Sequence, residues 1–148
     1  MRTVLTAIFT LLVGVGSLTV VRTQEPVIEV YKSPTCGCCM GWVNHLKDAG
    51  FTVNTTDVPS VTPIKTENGV PERVSSCHTA TVDGYVIEGH VPAEDIKRML
   101  NERPDITGIA VPGMPVGSPG MEGPNPQEFP VISFDDDGEL AVYNVHKP

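Results

Sequence analysis

Three cysteines occupy four consecutive positions, Cys36, Cys38 and Cys39 in the run Tyr31-Lys32-Ser33-Pro34-Thr35-Cys36-Gly37-Cys38-Cys39, and the chain holds one more, Cys77. Three thiols this close cannot all be structural disulfides, because any pair that uses Cys77 leaves two neighbours to pair with each other or stay free. Crowded sulfur donors point to metal or redox chemistry. A thiol–disulfide oxidoreductase needs an attacking thiol and a resolving thiol three residues on, which is the spacing of Cys36 and Cys39. Cys38 is surplus to that mechanism, and in an oxidising compartment it would invite wrong pairings. Metal binding gives it a role. Soft thiolates select Cu(I), Zn(II) and iron–sulfur clusters. Zinc usually takes paired ligands from two knuckles, whereas here three ligands come from one loop and the fourth is remote. A sulfur-bridged Cu(I) cluster tolerates this crowding, since one thiolate can bridge two ions.

Other donors surround this set. His78 follows Cys77 directly, and the alternatives are a surface or capping histidine there and a buried core thiol at Cys77. His90, in Glu88-Gly89-His90-Val91-Pro92, is a further candidate ligand. Met114 and Met121 offer thioethers, which bind Cu(I) without losing a proton; the alternative is that they fill apolar gaps. His45 and His146 are expected to face solvent, and Trp42 and Met99 to lie in the core. No residue is assigned a catalytic role.

The elements that must position these groups are legible in part. Val27 to Tyr31 alternates and is rich in β-branched residues, as a strand does. Ser33-Pro34-Thr35 breaks it, and a helix is expected from Cys38 or Cys39 to Asp48 with Gly50 as its C-terminal stop. The amides at its start should stabilise a thiolate at Cys36. Phe51 to Val58 reads as a second strand and Ser60 to Asn68 as a short helix. Thr79 to Val82 and Tyr85 to Glu88 flank Asp83-Gly84, the signature of a hairpin with a type I′ turn. Pro92 opens a helix with acidic residues first and basic ones later, which suits the helix dipole. The order β-α-β, then β-β-α, is the thioredoxin-like α/β layout, with the cysteines at the first strand–helix junction. In that layout the loop carrying Cys77 lies beside the cysteine triad. Residues 104–130 are rich in Gly and Pro and read as a long loop. Val131 to Phe134 and Leu140 to Tyr143 suggest a closing hairpin, so that the extension 104–148 folds back onto the domain.

Met1-Arg2 precedes an uncharged, mostly apolar run from Thr3 to Val21 that ends at Arg22. Residues 1–23 therefore read as a signal peptide or a retained N-terminal signal anchor. Either places the domain, residues 26–148, outside the cytoplasm, in the periplasm. The chain has 10 basic and 18 acidic residues. Without Arg2 and Arg22 that leaves 8 against 18, a net charge of about −10. Nucleic acid is disfavoured as a partner, because phosphate binding needs cationic surfaces; metal cations are not disfavoured.

Four segments together resemble the CopG-type copper-resistance proteins, a family long catalogued as a domain of unknown function. They are Tyr31 to Cys39, Ser76-Cys77-His78-Thr79, Val82 to Pro92, and Val111 to Glu122 with its repeat Pro112-Gly113-Met114 and Pro119-Gly120-Met121. The resemblance implies a thioredoxin-like fold and a periplasmic copper-handling role with a cysteine-bridged multinuclear copper site. It implies Cys36, Cys38, Cys39 and Cys77 as core ligands and His78 as the next. The expected function is an exported protein that holds several Cu(I) ions, either as a metal-binding protein alone or, by interconverting Cu(I) and Cu(II), as a copper oxidoreductase. Copper efflux or chaperone proteins are the expected partners. The alternative is a periplasmic thiol–disulfide oxidoreductase using Cys36 and Cys39.

Overall fold

A computed structural model of the protein describes residues 26–148, and the expected signal or anchor segment lies outside the described residues. The fold is mixed α/β. Its elements run β1 (Val27–Lys32), α1 (Gly37–Asp48), β2 (Thr52–Asp57), α2 (Thr62–Glu67), β3 (Thr79–Val82), β4 (Tyr85–Glu88), α3 (Ala93–Glu102), β5 (Gly108–Ala110), β6 (Phe129–Phe134) and β7 (Leu140–His146). The seven strands form one sheet in the order β2-β1-β3-β4-β5-β6-β7. No helix among the described residues is long and apolar enough to cross a membrane.

Local chemistry accounts for the boundaries. Cys39, Trp42, Val43 and Leu46 recur at helical spacing and are the buried face of α1. Gly50, at φ +95°, takes the left-handed stop, and the amides of Gly50 and Phe51 close on Lys47 and Leu46 carbonyls. Asp83 and Gly84 both have positive φ, as the type I′ turn between β3 and β4 requires. The main core joins these faces: Ile28 and Val30 from β1, Trp42 and Leu46 from α1, Ile87 from β4, Ile96 and Met99 from α3, and Ile109 from β5. Val86 points the other way, into a smaller cluster with Val74, Ala110 and Phe134. The central strands are thus covered on both sides, and all four residues of β4 are buried.

One expectation fails in the extension. Residues 104–130 are not a continuous loop, because Gly108–Ala110 forms β5 and pairs in parallel with β4. Three residues are too few to show a period, and the strand depends on Gly108: a Cβ there would lie 2.2 Å from the Val86 carbonyl oxygen. The closing hairpin is present, and longer than read, as β6 and β7.

Strand directions decide where the chemistry collects. β1 and β4 are each antiparallel to β3, and β5 is parallel to β4. The ends of β1, β4 and β5 and the start of β3 therefore share one edge of the sheet. The chain leaves β1 toward the cysteine triad, enters β3 through Cys77-His78, leaves β4 through Gly89-His90, and leaves β5 into the Gly/Pro-rich segment. That segment, residues 111–128, must cross the same edge to enter the antiparallel β6, and it forms a strap. Val111 N–H donates to the Glu88 carbonyl at 3.0 Å, and Ser76 Oγ donates to the Gly113 carbonyl at 2.5 Å.

The strap is seated by two glycines. A Cβ on Gly120, whose φ is +82°, would lie 2.5 Å from Trp42 N and 2.6 Å from the Cys38 carbonyl oxygen; one on Gly41 would lie 2.9 Å from Gly120 Cα. Gly120→Ala is expected to cost roughly 1–3 kcal/mol as an overpacked contact. Thermal unfolding and limited proteolysis of the strap measure this, and an unchanged Tm with an equally resistant strap would show that the contact holds nothing.

Candidate metal centre

Cys36 is the N-cap of α1, and Cys38 and Cys39 lie in its first turn. The sulfurs of Cys36 and Cys39 are joined as a disulfide, with their Cα atoms 5.4 Å apart. Cys38 and Cys77 are free and half-buried. Cys38 Sγ lies 3.6 Å from Cys36 Sγ, and Cys77 Sγ lies 3.5 Å from Cys39 Sγ. All four sulfurs fall within 4.8 Å of one another. The remote fourth cysteine thus reaches the triad, because its loop opens β3 beside the end of β1.

Cys77 also belongs to a second set. Its sulfur lies 3.3 Å from His78 Nδ1 and 3.0 Å from His90 Nε2, and both histidines are fully buried. His90 Nδ1 lies 2.7 Å from the Pro119 carbonyl oxygen. A carbonyl only accepts, so Nδ1 carries the proton and Nε2 turns its lone pair to the cysteine. The strap therefore sets the tautomer of this imidazole, as an outer partner does at metal sites. His78 packs 4.3 Å from the Trp42 ring, centroid to centroid, and its Nε2 has no hydrogen-bond partner among the described residues.

Burial sets the charge states. It holds His78 well below the usual imidazole range, with the charges of His90 and Lys65 acting in the same direction. It lowers His90 too, against the opposing pull of the Pro119 carbonyl and Glu122. Burial pushes the Cys77 thiol up to about 11, and Cys38 adds to the effect while a bond to Ser76 opposes it. Without a metal, the two imidazoles are neutral and Cys77 is a thiol at neutral pH. Its S–H then faces the His90 Nε2 lone pair. A metal ion on this sulfur displaces a proton.

The other candidates sit as follows. Met114 is 50% exposed, and Met121 is half-buried immediately after the seated Gly120. The strap brings the backbone of Pro119 and Gly120 onto the site. Trp42 and Met99 are core, as expected. His45 and His146 do not simply face solvent. His45 Nε2 accepts from Ala93 N–H at 3.1 Å, and His146 Nε2 donates to the buried Asp95 carboxylate at 2.5 Å and stacks on Phe129. Each fastens one element to the start of α3, a tertiary need that neighbouring residues do not signal. Sequence reasoning also passed over Glu88 and Lys65, a buried ion pair behind the Cys77 loop. The available signal was a lone carboxylate in the β-rich run Tyr85-Val86-Ile87-Glu88, directly before Gly89-His90.

Comparisons with known proteins bear on this constellation. The profile of a family described as "Protein of unknown function, DUF411" matches residues 74–121. That span runs from the Cys77 loop to the strap. Among curated proteins none matches the chain. A solved structure described as copper resistance protein copG, form 2, is similar at 41% identity with a TM-score of 0.79, covering 84% of this chain and 100% of its own. A second, form 1 of copper resistance protein copG, is similar at 40% identity, with the same TM-score and coverage. The cysteine cluster and these relatives fit copper binding.

The raised pKa of Cys77 is open to measurement. In the metal-free protein with the Cys36–Cys39 disulfide intact, at pH 8, a shift from 9.0 to about 11 leaves roughly 100-fold less thiolate than in the denatured chain. Iodoacetamide labelling of Cys77 is expected to be slower by at least that factor and to accelerate as pH rises toward 11. The stabilising effect of the protonated thiol is complete below the unfolded pKa and is lost as pH rises through about 11. Equal labelling rates at pH 8 in folded and denatured protein would contradict the buried thiol.

Proposed function

The chain belongs to the family of copper resistance protein CopG, and from that membership we propose that it is an exported copper-binding protein of copper resistance. In this reading residues 1–23 are a signal peptide or membrane anchor, and residues 26–148 are a thioredoxin-like metal-binding domain working in the periplasm. The order and directions of β1, α1, β2, β3, β4 and α3 support the thioredoxin-like assignment. Copper is the cargo. Cys36, Cys38, Cys39 and Cys77 hold several Cu(I) ions, with His78 and His90 as nitrogen donors; Met114 and Met121 are further thioether donors on the strap. Copper efflux or chaperone proteins supply or receive the metal.

The observation that carries this reading is the pair of donor sets that meet at Cys77. One is all sulfur, and the other is one sulfur with two imidazole nitrogens. The first suits Cu(I), and the second suits copper in either oxidation state. A thiolate common to both can bridge two ions, so a multinuclear cluster is the arrangement the donors favour. Neutral imidazoles and a buried site meet two further needs of a soft cation: ligands without protons and few competing waters.

The disulfide between Cys36 and Cys39 supports a redox part in the same reading. It removes two donors from the all-sulfur set and none from the mixed set. Two Cu(II) ions and the two thiolates of Cys36 and Cys39 give two Cu(I) ions and this disulfide, which balances in charge and electrons. That exchange is one way for the protein to interconvert Cu(I) and Cu(II) as a copper oxidoreductase. The same disulfide also favours the second reading, a thiol–disulfide oxidoreductase, in which Cys38 and Cys77 are dispensable.

Anaerobic Cu(I) titration of the fully reduced domain, against a competing chelator, is expected to show more than one tightly bound copper per chain. The disulfide form is expected to bind fewer, and Cys38→Ser to lower the capacity of the reduced form. Unchanged capacity in Cys38→Ser, or no tight binding at all, would sink the proposal. Insulin-reduction turnover that survives Cys38→Ser and Cys77→Ser would favour the oxidoreductase.

A further inference from the structure

We infer that Glu88 is the positioning residue of the copper centre, holding the Cys77-His78 loop against His90 from behind. The inference rests on the copper-binding reading above but assigns a residue that touches no sulfur. Glu88 is wholly buried on the central strand β4. Its carboxylate takes donors from three directions. Lys65 Nζ, from α2, donates to Oε1 as a buried ion pair. Ser76 N–H donates to the same oxygen at 2.5 Å, and Thr79 Oγ1 donates to Oε2 at 2.7 Å. Lys65 Nζ also donates to Thr79 Oγ1 at 3.1 Å.

The two residues fastened to the carboxylate, Ser76 and Thr79, flank Cys77 and His78. His90 stands two residues beyond Glu88 on the same chain. One side chain therefore ties both ends of the ligand loop to the segment that carries the opposing ligand, across a Cys77–His90 contact of 3.0 Å. Gly89 makes the tie short: a Cβ there would lie 2.5 Å from the Ser76 side chain and 2.8 Å from the Val111 carbonyl oxygen.

A carboxylate suits this position because it accepts from all three groups and carries the charge that the Lys65 ammonium needs. Glutamine could turn its N–H₂ group to the Thr79 hydroxyl, which also accepts, but would leave the Lys65 ammonium buried without its counter-charge. The pair also costs desolvation, so stability alone does not explain it; apolar residues of similar volume often replace such pairs without loss of stability. That difference separates positioning from scaffolding.

The test compares the parent domain with Glu88→Gln, Thr79→Val and the double variant Lys65→Met/Glu88→Leu. Each is followed by thermal unfolding, by amide hydrogen exchange at Ser76 to Thr79, and by Cu(I) titration against bathocuproine disulfonate. Copper K-edge absorption then counts nitrogen and sulfur ligands. The double variant is expected to fold with a lowered melting temperature, since Ser76 N–H and Thr79 Oγ1 lose their acceptor, to exchange faster in the loop and to lose Cu(I) affinity by roughly 10–100-fold, the usual effect of removing an outer partner. Its spectrum should lose nitrogen scattering while keeping sulfur. Thr79→Val removes one donor from a nearly isosteric side chain and should show a smaller loss in the same direction; it also answers the question if the other variants do not fold. A folded double variant with the parent's loop protection, copper affinity and ligand count would overturn the inference. If the parent itself binds no Cu(I), the copper reading fails, and loop exchange alone then decides whether Glu88 is the clamp.

Discussion

One end of this molecule depends on the 3.0 Å approach of Cys77 Sγ to His90 Nε2. The two residues belong to different segments, the entry to β3 and the exit from β4, and they meet only because those strands are antiparallel neighbours in register. The pairing of Thr79 with Glu88 sets how far each chain runs past the ladder before it turns. A slip of one residue would reverse the faces and separate thiol from imidazole. From this contact the site extends in two directions. Cys77 passes it to the triad through Cys39, and His90 passes it to the strap through Pro119.

Burial also decides the charge states at this end of the molecule. Cys38 and Cys77, the two thiols that the disulfide leaves free, repel one another once they are ionised. Burial avoids this by keeping Cys77 protonated, with its pKa at about 11, and both imidazoles neutral. The resting site is therefore low in charge and compatible with the core beneath it, where Trp42 touches His78 and bonds to the Val91 carbonyl at 2.8 Å. A buried ion pair, Lys65 with Glu88, is placed behind the ligand loop and adds no net charge. A metal ion arriving here exchanges for protons and not for counter-ions.

The parts of this arrangement that are local in sequence were legible. The Cys-x-Cys-Cys run, the helix it starts, the Asp83-Gly84 turn and the flanking strands all carry short-range signals, and each lies where it was read. The convergence of Cys77 on the triad followed from β-α-β-β order, since topology fixes which loops share a sheet edge. What escaped was decided by tertiary partners. β5 is three residues long and exists because Gly108 lets β4 approach. His45 and His146 look like surface residues until α3 offers them an amide and a buried carboxylate. Glu88 is a charged residue at the end of a strand run, and only coverage of β4 on both faces makes it internal. The second donor set was visible only as separate candidates, His78 and His90, because nothing in the chain announces that both rings turn toward one sulfur.

The disulfide gives the two donor sets different dependence on redox state. Cys36 and Cys39 both belong to the all-sulfur set, so oxidation dismantles that set alone. Cys77, His78 and His90 keep their positions through a separate group of restraints: the strand pairing, the strap carbonyl and the Glu88 carboxylate. A site built from one set would be either present or absent as its cysteines are reduced or oxidised. On the proposed reading, this one would retain a three-donor remnant when oxidised and regain the sulfur cluster on reduction. On the copper-binding reading, capacity rather than binding itself follows the redox state. Cys38 is then the residue that separates the two uses of a Cys-x-x-Cys frame. It takes no part in the disulfide and lies 3.6 Å from Cys36 Sγ, where the copper-binding reading gives it a role and the oxidoreductase reading gives it none.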